Sequence, residues 1–367
     1  MAPLMAVDYG ARLDSLRETM SQQGVAALWI EPSVNLFYLT GLEPISLERL
    51  CGLVIRPSGP LRAVVPELLK DELAALPFEV EPLVWRDGEG PETAVGHALE
   101  GVAKLSIQGS LPSWAWARLA GARPGLQIEV NDTLVSRLRE RKGRAEVDLL
   151  RKAGKAADDT VEWIAGLDLA TMTESRLARA IEIHFLELGH APCPHTLVAT
   201  GPNTALPHHT GSEVPITSGA PLLVDLGCSI EGYWSDITRV FFPTDSGGLL
   251  SDIYGIVTEA YDAAFAAARA GVACKEVDRA ARAVIEEAGY GDAFLHRTGH
   301  GVGLEMHEPP YLTSTNEEPL QAGHVFSIEP GIYLPGRFGV RYENIVYLAD
   351  SGPQKLNESP RIHYLRA

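Results

Sequence analysis

The stretch PLLVDLGCSIEGYWSDITRVFF, residues 221–242, holds two apolar runs on either side of a polar turn near Ile230–Glu231. Short runs rich in Leu, Val, Ile and Phe about such a turn predict an antiparallel β-hairpin. Asp225 and Asp236 lie symmetrically about that turn, so this reading sets them face to face, ~4.5–5.5 Å apart at Cβ. Like charges so opposed destabilise a sheet unless something neutralises them, and a cation would do so. The stretch VFSIEPGIYLPGRFGVRYENIVYL, residues 325–348, repeats the device, with Glu329 and Glu343 symmetrical about Gly336. Each hairpin follows helical sequence, and about a hundred residues separate them. A duplicated half-domain that brings four carboxylates to one centre accounts for both. Each acid alone would pass for an ordinary surface residue; two symmetrical pairs among apolar neighbours do not.

Between the hairpins, HRTGHGVGLEMHEPP (296–310) carries His296, His300 and His307. A lone histidine is more often a satisfied structural residue, but glycines on both sides of His300 permit close backbone approach and leave its ring directed at a ligand. Upstream, LPHHT (206–210) adds His208 and His209.

The rest of the chain frames these motifs. Its 367 residues suggest two domains, and 46% hydrophobic with 22% charged residues is the make-up of a protein with large cores. A net charge of −17 excludes the basic footprint that a nucleic-acid partner needs. No apolar run approaches the ~20 residues of a membrane span. The N-terminus, MAPLMAVDYGARLD, lacks a signal-peptide pattern. Four scattered cysteines without a C-x-x-C pair fit buried, reduced thiols and a cytoplasmic location.

Asp8–Gln23 predicts an amphipathic helix, and strand patterns follow at residues 25–30, 50–56, 61–65, 79–85, 105–108 and 126–130, with helical pieces between. That is an α/β pattern ending near 131. The basic run SRLRERKGRAE (136–146) reads as a solvated helical junction. Helices over 145–165 and 174–188 follow, the second behind a Thr171-x-x-Glu174 pattern that resembles a capping box. Strands near 196–200 and 222–226, helices over 251–270 and 274–288, and strands from Val325 onward complete an α+β pattern.

Taken together, GPNTALPHH (201–209), VDLG (224–227), SDITR (235–239), GHGVGLEMH (299–307), IEPG (328–331) and GVRYEN (339–344), with SVNLFYLTGL (33–42), resemble the proline-specific branch of the pita-bread metallopeptidases, the prolidase and aminopeptidase P group. The resemblance implies a creatinase-like α/β N-terminal domain over 1–135 and an α+β pita-bread catalytic domain over 136–367. It implies Asp225, Asp236, His300, Glu329 and Glu343 as ligands of two divalent metal ions, with Asp236 and Glu343 shared between them. His208, His307, Glu329 and Arg341 are expected in catalysis, and His208, His296, His307, Tyr333 and Arg341 against substrate; the family register favours His208 over His209. A mainly oxygen-donor set suits manganese, with cobalt and zinc acceptable.

The implied substrate is a small peptide with proline second, either an Xaa-Pro dipeptide or, alternatively, a longer peptide cut by an Xaa-Pro aminopeptidase. A homodimer is expected. Arg49, after the LTGL segment, is a candidate for the dipeptide's free carboxylate, though an ordinary exposed arginine is the favoured reading. Three alternatives are weaker. A methionine aminopeptidase commonly has Gln where Arg341 stands, a catalytically inactive pita-bread binding module typically loses ligands, and a metal-free glycosidase needs two acids rather than four.

Overall fold

The computed structural model describes residues 7–43, 48–194, 196–243 and 247–365. The first six residues of the N-terminus read above, MAPLMA, lie outside them. The chain divides into two compact units, Met1–Arg139 and Glu140–Ala367.

The first unit runs α1 (Tyr9–Gln23), β1 (Leu28–Ile30), α2 (Val34–Thr40), β2 (Gly52–Ile55), β3 (Leu61–Pro66), β4 (Val80–Trp85), α3 (Glu92–Ala98), β5 (Lys104–Ile107), α4 (Ser113–Ala122), β6 (Gln127–Val130) and α5 (Thr133–Glu140), whose last residue opens the second unit. Asp8 stops the chain from entering α1 earlier, because its carboxylate accepts from Ala11 N–H at 2.9 Å as an N-cap. The six strands form one mixed sheet in the order β4-β3-β2-β1-β5-β6, parallel at β1/β5, β5/β6 and β3/β4. β1 is central, and its Leu28-Trp29-Ile30 is buried on both faces, as an unbroken apolar run requires. Arg49 is taken within this unit: its guanidinium forks onto Asp87 at 2.8 Å through two nitrogens and reaches Glu48 at 2.6 Å.

The basic junction differs from its reading as a solvated face. Arg139 and Lys142 are buried, Arg139 on Asn35 at 2.7 Å and Lys142 on Glu308 at 2.7 Å. Buried cations need such partners, and partners far along the chain leave no trace in local sequence.

The second unit begins with α6 (Arg144–Ala165), α7 (Glu174–Glu187), β7 (Ala191–Pro192), β8 (Leu197–Thr200), β9 (Leu222–Leu226), β10 (Cys228–Ile230), β11 (Tyr233–Trp234) and β12 (Ile237–Phe242). It continues with α8 (Leu249–Ala267), α9 (Cys274–Glu287), β13 (Gly299–Gly301), β14 (Glu308–Leu312), β15 (Val325–Ile328), β16 (Gly331–Leu334), β17 (Phe338–Arg341), β18 (Asn344–Ala349), β19 (Gly352–Lys355) and β20 (His363–Tyr364). Two helices and then an antiparallel trio occur twice: α6, α7 and β8-β9-β12, then α8, α9 and β13-β15-β18. That repetition matches the duplication inferred from the paired acids.

Alternation along the strands sorts the core. Leu223, Val240 and Phe242 pack with α8 and α9, whereas Leu222, Val224 and Phe241 pack with α6 and α7. Asp225 and Thr238 extend the first of these faces. The expected capping box at α7 is corrected: Thr173 is the N-cap, accepting from Arg176 N–H at 3.3 Å, and Glu174 is a wholly buried residue with other partners.

Candidate metal centre

Asp225 comes from β9, and Asp236 immediately precedes β12. Their register differs from the face-to-face reading. Asp225 pairs with Thr238, and the ribbon continues through Ile230↔Tyr233 to a two-residue turn at Glu231-Gly232, where φ is 51° and 83°. Both residues are left-handed, as a type I′ turn demands. The turn therefore lies one residue later than expected, and every partner shifts by two positions. A shift of two keeps each side chain on its face, whereas a shift of one would have flipped them all. Asp225 and Asp236 are thus diagonal neighbours on one face.

The second ribbon holds a single register from Val325↔Tyr347 through Ile328↔Asn344 to Leu334↔Phe338, centred on Gly336. Glu329 and Glu343 fall opposite each other where it opens between two sheets. There Glu329 N–H donates to Thr298 at 2.8 Å and Glu343 N–H to Thr238 at 3.4 Å, so each acid is tied to a neighbouring strand.

His300 sits in β13, and its flanking glycines have a steric cause. A Cβ on Gly299 would lie 1.9 Å from Ser327 O, and one on Gly301 2.2 Å from Pro309 O. His300 Nδ1 lies 3.1 Å from the Gly301 carbonyl, which can only accept, so Nδ1 carries the hydrogen. Nε2 faces the acids, 3.2 Å from Glu329 Oε1 and 3.9 Å from Asp236 Oδ2, so it donates to Glu329 when protonated and offers a lone pair to a cation when not.

Three overlapping sets of potential ligand atoms lie within 4.8 Å of one another: Asp225 with Asp236 and Glu343, His300 with Glu329 and Glu343, and Asp236 with His300 and His307. Asp236, His300 and Glu343 each belong to two sets. Burial, followed by the charges of the other acids, pushes the carboxyls of Asp236 and Glu343 well above the usual range. Burial pushes Glu329 the same way, but the bond and charge of His300, with His296 and Arg341, outweigh it and hold that carboxyl at about 2. Four carboxylates gathered in low dielectric need more positive charge than Arg341 brings. An oxygen-rich donor set with one imidazole fits divalent cations of the manganese, cobalt and zinc kind.

Around the acids runs a directed set of hydrogen bonds. Arg341 donates to Asp225 through Nη2, to Thr238 Oγ1 through Nε at 2.9 Å and to Tyr333 through Nη1 at 2.9 Å. Thr238 passes its own hydrogen to Glu343 Oε2 at 2.6 Å. Tyr333 lies 2.8 Å from His296 Nε2, while His296 Nδ1 lies 2.8 Å from the Arg297 carbonyl and must donate to it. Tyr333 therefore donates to His296 Nε2. Its ring is buried and does not line the cavity, and its hydroxyl braces Arg341 and His296.

A cavity of about 960 Å³ opens over the centre, walled by His208, His209, Asp225, Asp236, His296, Arg297, His300, His307, Glu329, Arg341 and Glu343, among others. His208 is exposed on that wall, whereas His209 turns to Glu174 at 2.7 Å. The His307 ring centroid lies 3.9 Å from that of His300 with the planes tilted by 51°, and its Nδ1 accepts from Arg297 Nη2 at 3.2 Å, so neutral His307 carries its hydrogen on Nε2. Burial, then the neighbouring charges of His300 and Arg297, lower His307 to about 4. The sequence gives no role to Thr238 or Arg297, and its capping-box reading of Glu174 misses the contact with His209. The first two stand inside SDITR and HRTGH, where their neighbours drew the attention.

Residues 148–350 match metallopeptidase family M24, and residues 12–141 match the creatinase/prolidase N-terminal domain. A probable dipeptidase PepE of Mycobacterium bovis is 36% identical over 360 residues, covering 96% of this chain and 95% of that protein. The crystal structure of dipeptidase PepE from Mycobacterium ulcerans superposes with a TM-score of 0.93 at 36% identity, over 99% of both chains. A recombinant prolidase from Thermococcus sibiricus gives 0.92 at 33% identity, over 98% of this chain and 100% of that one.

Proposed function

The chain belongs to metallopeptidase family M24, and on that premise we propose that it hydrolyses the Xaa-Pro bond of dipeptides with two divalent metal ions. The observation that carries this reading is the convergence of Asp225, Asp236, His300, Glu329 and Glu343 in overlapping ligand sets. Asp225, Asp236 and Glu343 would hold one ion, and His300 and Glu329, sharing Asp236 and Glu343, the other. The dipeptidase and prolidase names of the similar proteins support the substrate class.

Bound there, such ions supply Lewis-acid activation of a water and of the scissile carbonyl. The chain's own residues do the rest. Glu329, buried and held ionised, can accept a proton from the attacking water and return it to the proline nitrogen, which has no hydrogen of its own in the substrate. His307, neutral with its hydrogen on Nε2, can donate to the developing oxyanion. His208 and His296 line the cavity as substrate contacts. Arg341 holds Asp225 and, through Thr238, Glu343.

The subunit is assigned to a homodimer, by the resemblance, and to the cytoplasm. Four free, buried cysteines support the second, and no helix of the described residues is long and apolar enough to cross a membrane.

The test is a length series, Ala-Pro, Ala-Pro-Ala and longer, assayed after EDTA treatment and after reloading with Mn²⁺, Co²⁺ or Zn²⁺. Cleavage of Ala-Pro restored by metal and absent for longer peptides supports the proposal. Cleavage of the longer peptides would make it an aminopeptidase, and Ala-Pro cleavage that survives chelation would overturn it.

A further inference from the structure

Glu174 opens α7 with a side chain that is wholly buried. Its carboxylate does not cap the helix, because Thr173 does so. A buried carboxylate costs several kcal/mol unless it is bonded, and every partner of this one comes from a single segment, residues 200–212. It accepts from Thr200 N–H at 2.7 Å, Asn203 Nδ2 at 3.0 Å, Ser212 Oγ at 2.6 Å and His209 Nε2 at 2.7 Å. Backbone bonds tie the two ends of that segment: Gly201 N–H to the Pro221 carbonyl, and Ser175 N–H to the Ser212 carbonyl. Between them the chain passes His208 across the wall of the metal cavity.

Within residues 207–211, the other hydrogen bond among the described residues is local, from His209 N–H to the Leu206 carbonyl. The imidazole of His209 is therefore what anchors this stretch to the body of the unit. Adjacent side chains on one irregular segment share its backbone torsions. With His209 held on Glu174, His208 beside it stands exposed on the cavity wall, which His209 also lines.

We propose that Glu174, acting through His209, is a positioning residue that presents His208 to substrate; this rests on the peptidase reading above, in which His208 contacts the peptide. The carboxylate aligns a neutral or charged His209 alike, since Nε2–H donates in both forms. Loss of the bond frees the 207–211 stretch and leaves the metal ligands, on other strands, in place.

The experiment compares H209L, H209Q, H208A and the H208A/H209L pair for kcat and KM on Ala-Pro, for Mn²⁺ binding by calorimetry and for thermal melting. H209L should lower kcat/KM about tenfold, close to H208A, and the double variant should be no worse than H208A alone. H209Q, whose amide can still donate to Glu174, should recover to within about threefold of the parent. Mn²⁺ affinity should stay within about threefold throughout. Unchanged kcat/KM in H209L, additive losses in the pair, or loss of Mn²⁺ binding alongside activity would each overturn the inference. If H209L does not fold, H209N, too short to reach the carboxylate, takes its place. An H208A enzyme of full activity would remove the role of His208 and this inference with it, yet leave metal-dependent cleavage standing.

Discussion

Thr238 donates its hydroxyl hydrogen to Glu343 at 2.6 Å. The same oxygen accepts from Arg341, and Thr238, not Asp236, stands across the ladder from Asp225. One hydroxyl thus orients a shared acid and the arginine that holds a second acid. Outer partners of this kind change metal affinity by ~10–100-fold when removed. T238V should weaken Mn²⁺ binding by about tenfold or more, whereas T238S, which keeps the hydroxyl, should bind within about threefold of the parent. Equal calorimetric affinities for T238V and the parent would show that the hydroxyl is incidental.

Metal uptake should release protons. Burial and mutual repulsion raise the carboxyls of Asp236 and Glu343, so the metal-free protein retains protons there that ligation must expel. Apparent affinity should therefore rise with pH as those carboxyls lose their protons. Titrating Mn²⁺ into the stripped protein in buffers of different ionisation enthalpy measures the number released; zero would contradict the crowded, partly protonated centre.

His307 should matter to the chemical step more than to binding. H307A is expected to lower kcat by about 10²–10³ with little change in KM, the mark of a donor used in the transition state. R297L removes the bond that keeps the His307 hydrogen on Nε2 and should lower kcat less, by about tenfold. A loss confined to KM in both variants would assign the pair to substrate binding.

Acid stability carries a signature of His324. Burial, then the charges of Lys142 and Arg141, lower this imidazole to about 4, below the 6.5 of an exposed histidine. Between those values the unfolded chain binds a proton that the folded one refuses. The stability this group contributes is complete above pH 6.5 and is lost as pH falls toward 4, at most about 3 kcal/mol. H324Q should flatten the decline in urea-derived stability over that window; an unchanged slope would show that other groups govern it.

Much of the site was legible because a β-strand alternates with period two. The acids at 225, 236, 329 and 343 have a parity and spacing that put each pair on one face in any register that differs from the symmetrical one by two residues. For the 325–348 stretch the centre at Gly336 was also readable, since the ladder runs symmetrically about it. For 221–242 it was not. Registers two residues apart have the same pattern of faces, and the choice between them belongs to the turn. Gly232 was the available signal, because Glu231-Gly232 suits a two-residue turn better than Ile230-Glu231.

By itself, then, the sequence determined the α/β pattern followed by α+β, the paired carboxylates and the glycines that crowd His300. These follow from local periodicity and local sterics. Only the tertiary structure decided that Tyr333 braces instead of facing the cavity, that Arg139 and Lys142 are buried, that Arg49 belongs to Asp87, and that Glu174 holds His209. Each of those depends on a partner tens of residues away or on which side of a packed layer a side chain emerges. No local pattern encodes such a choice, because a charge or hydroxyl reads the same in sequence whether its partner is water or a distant carboxylate.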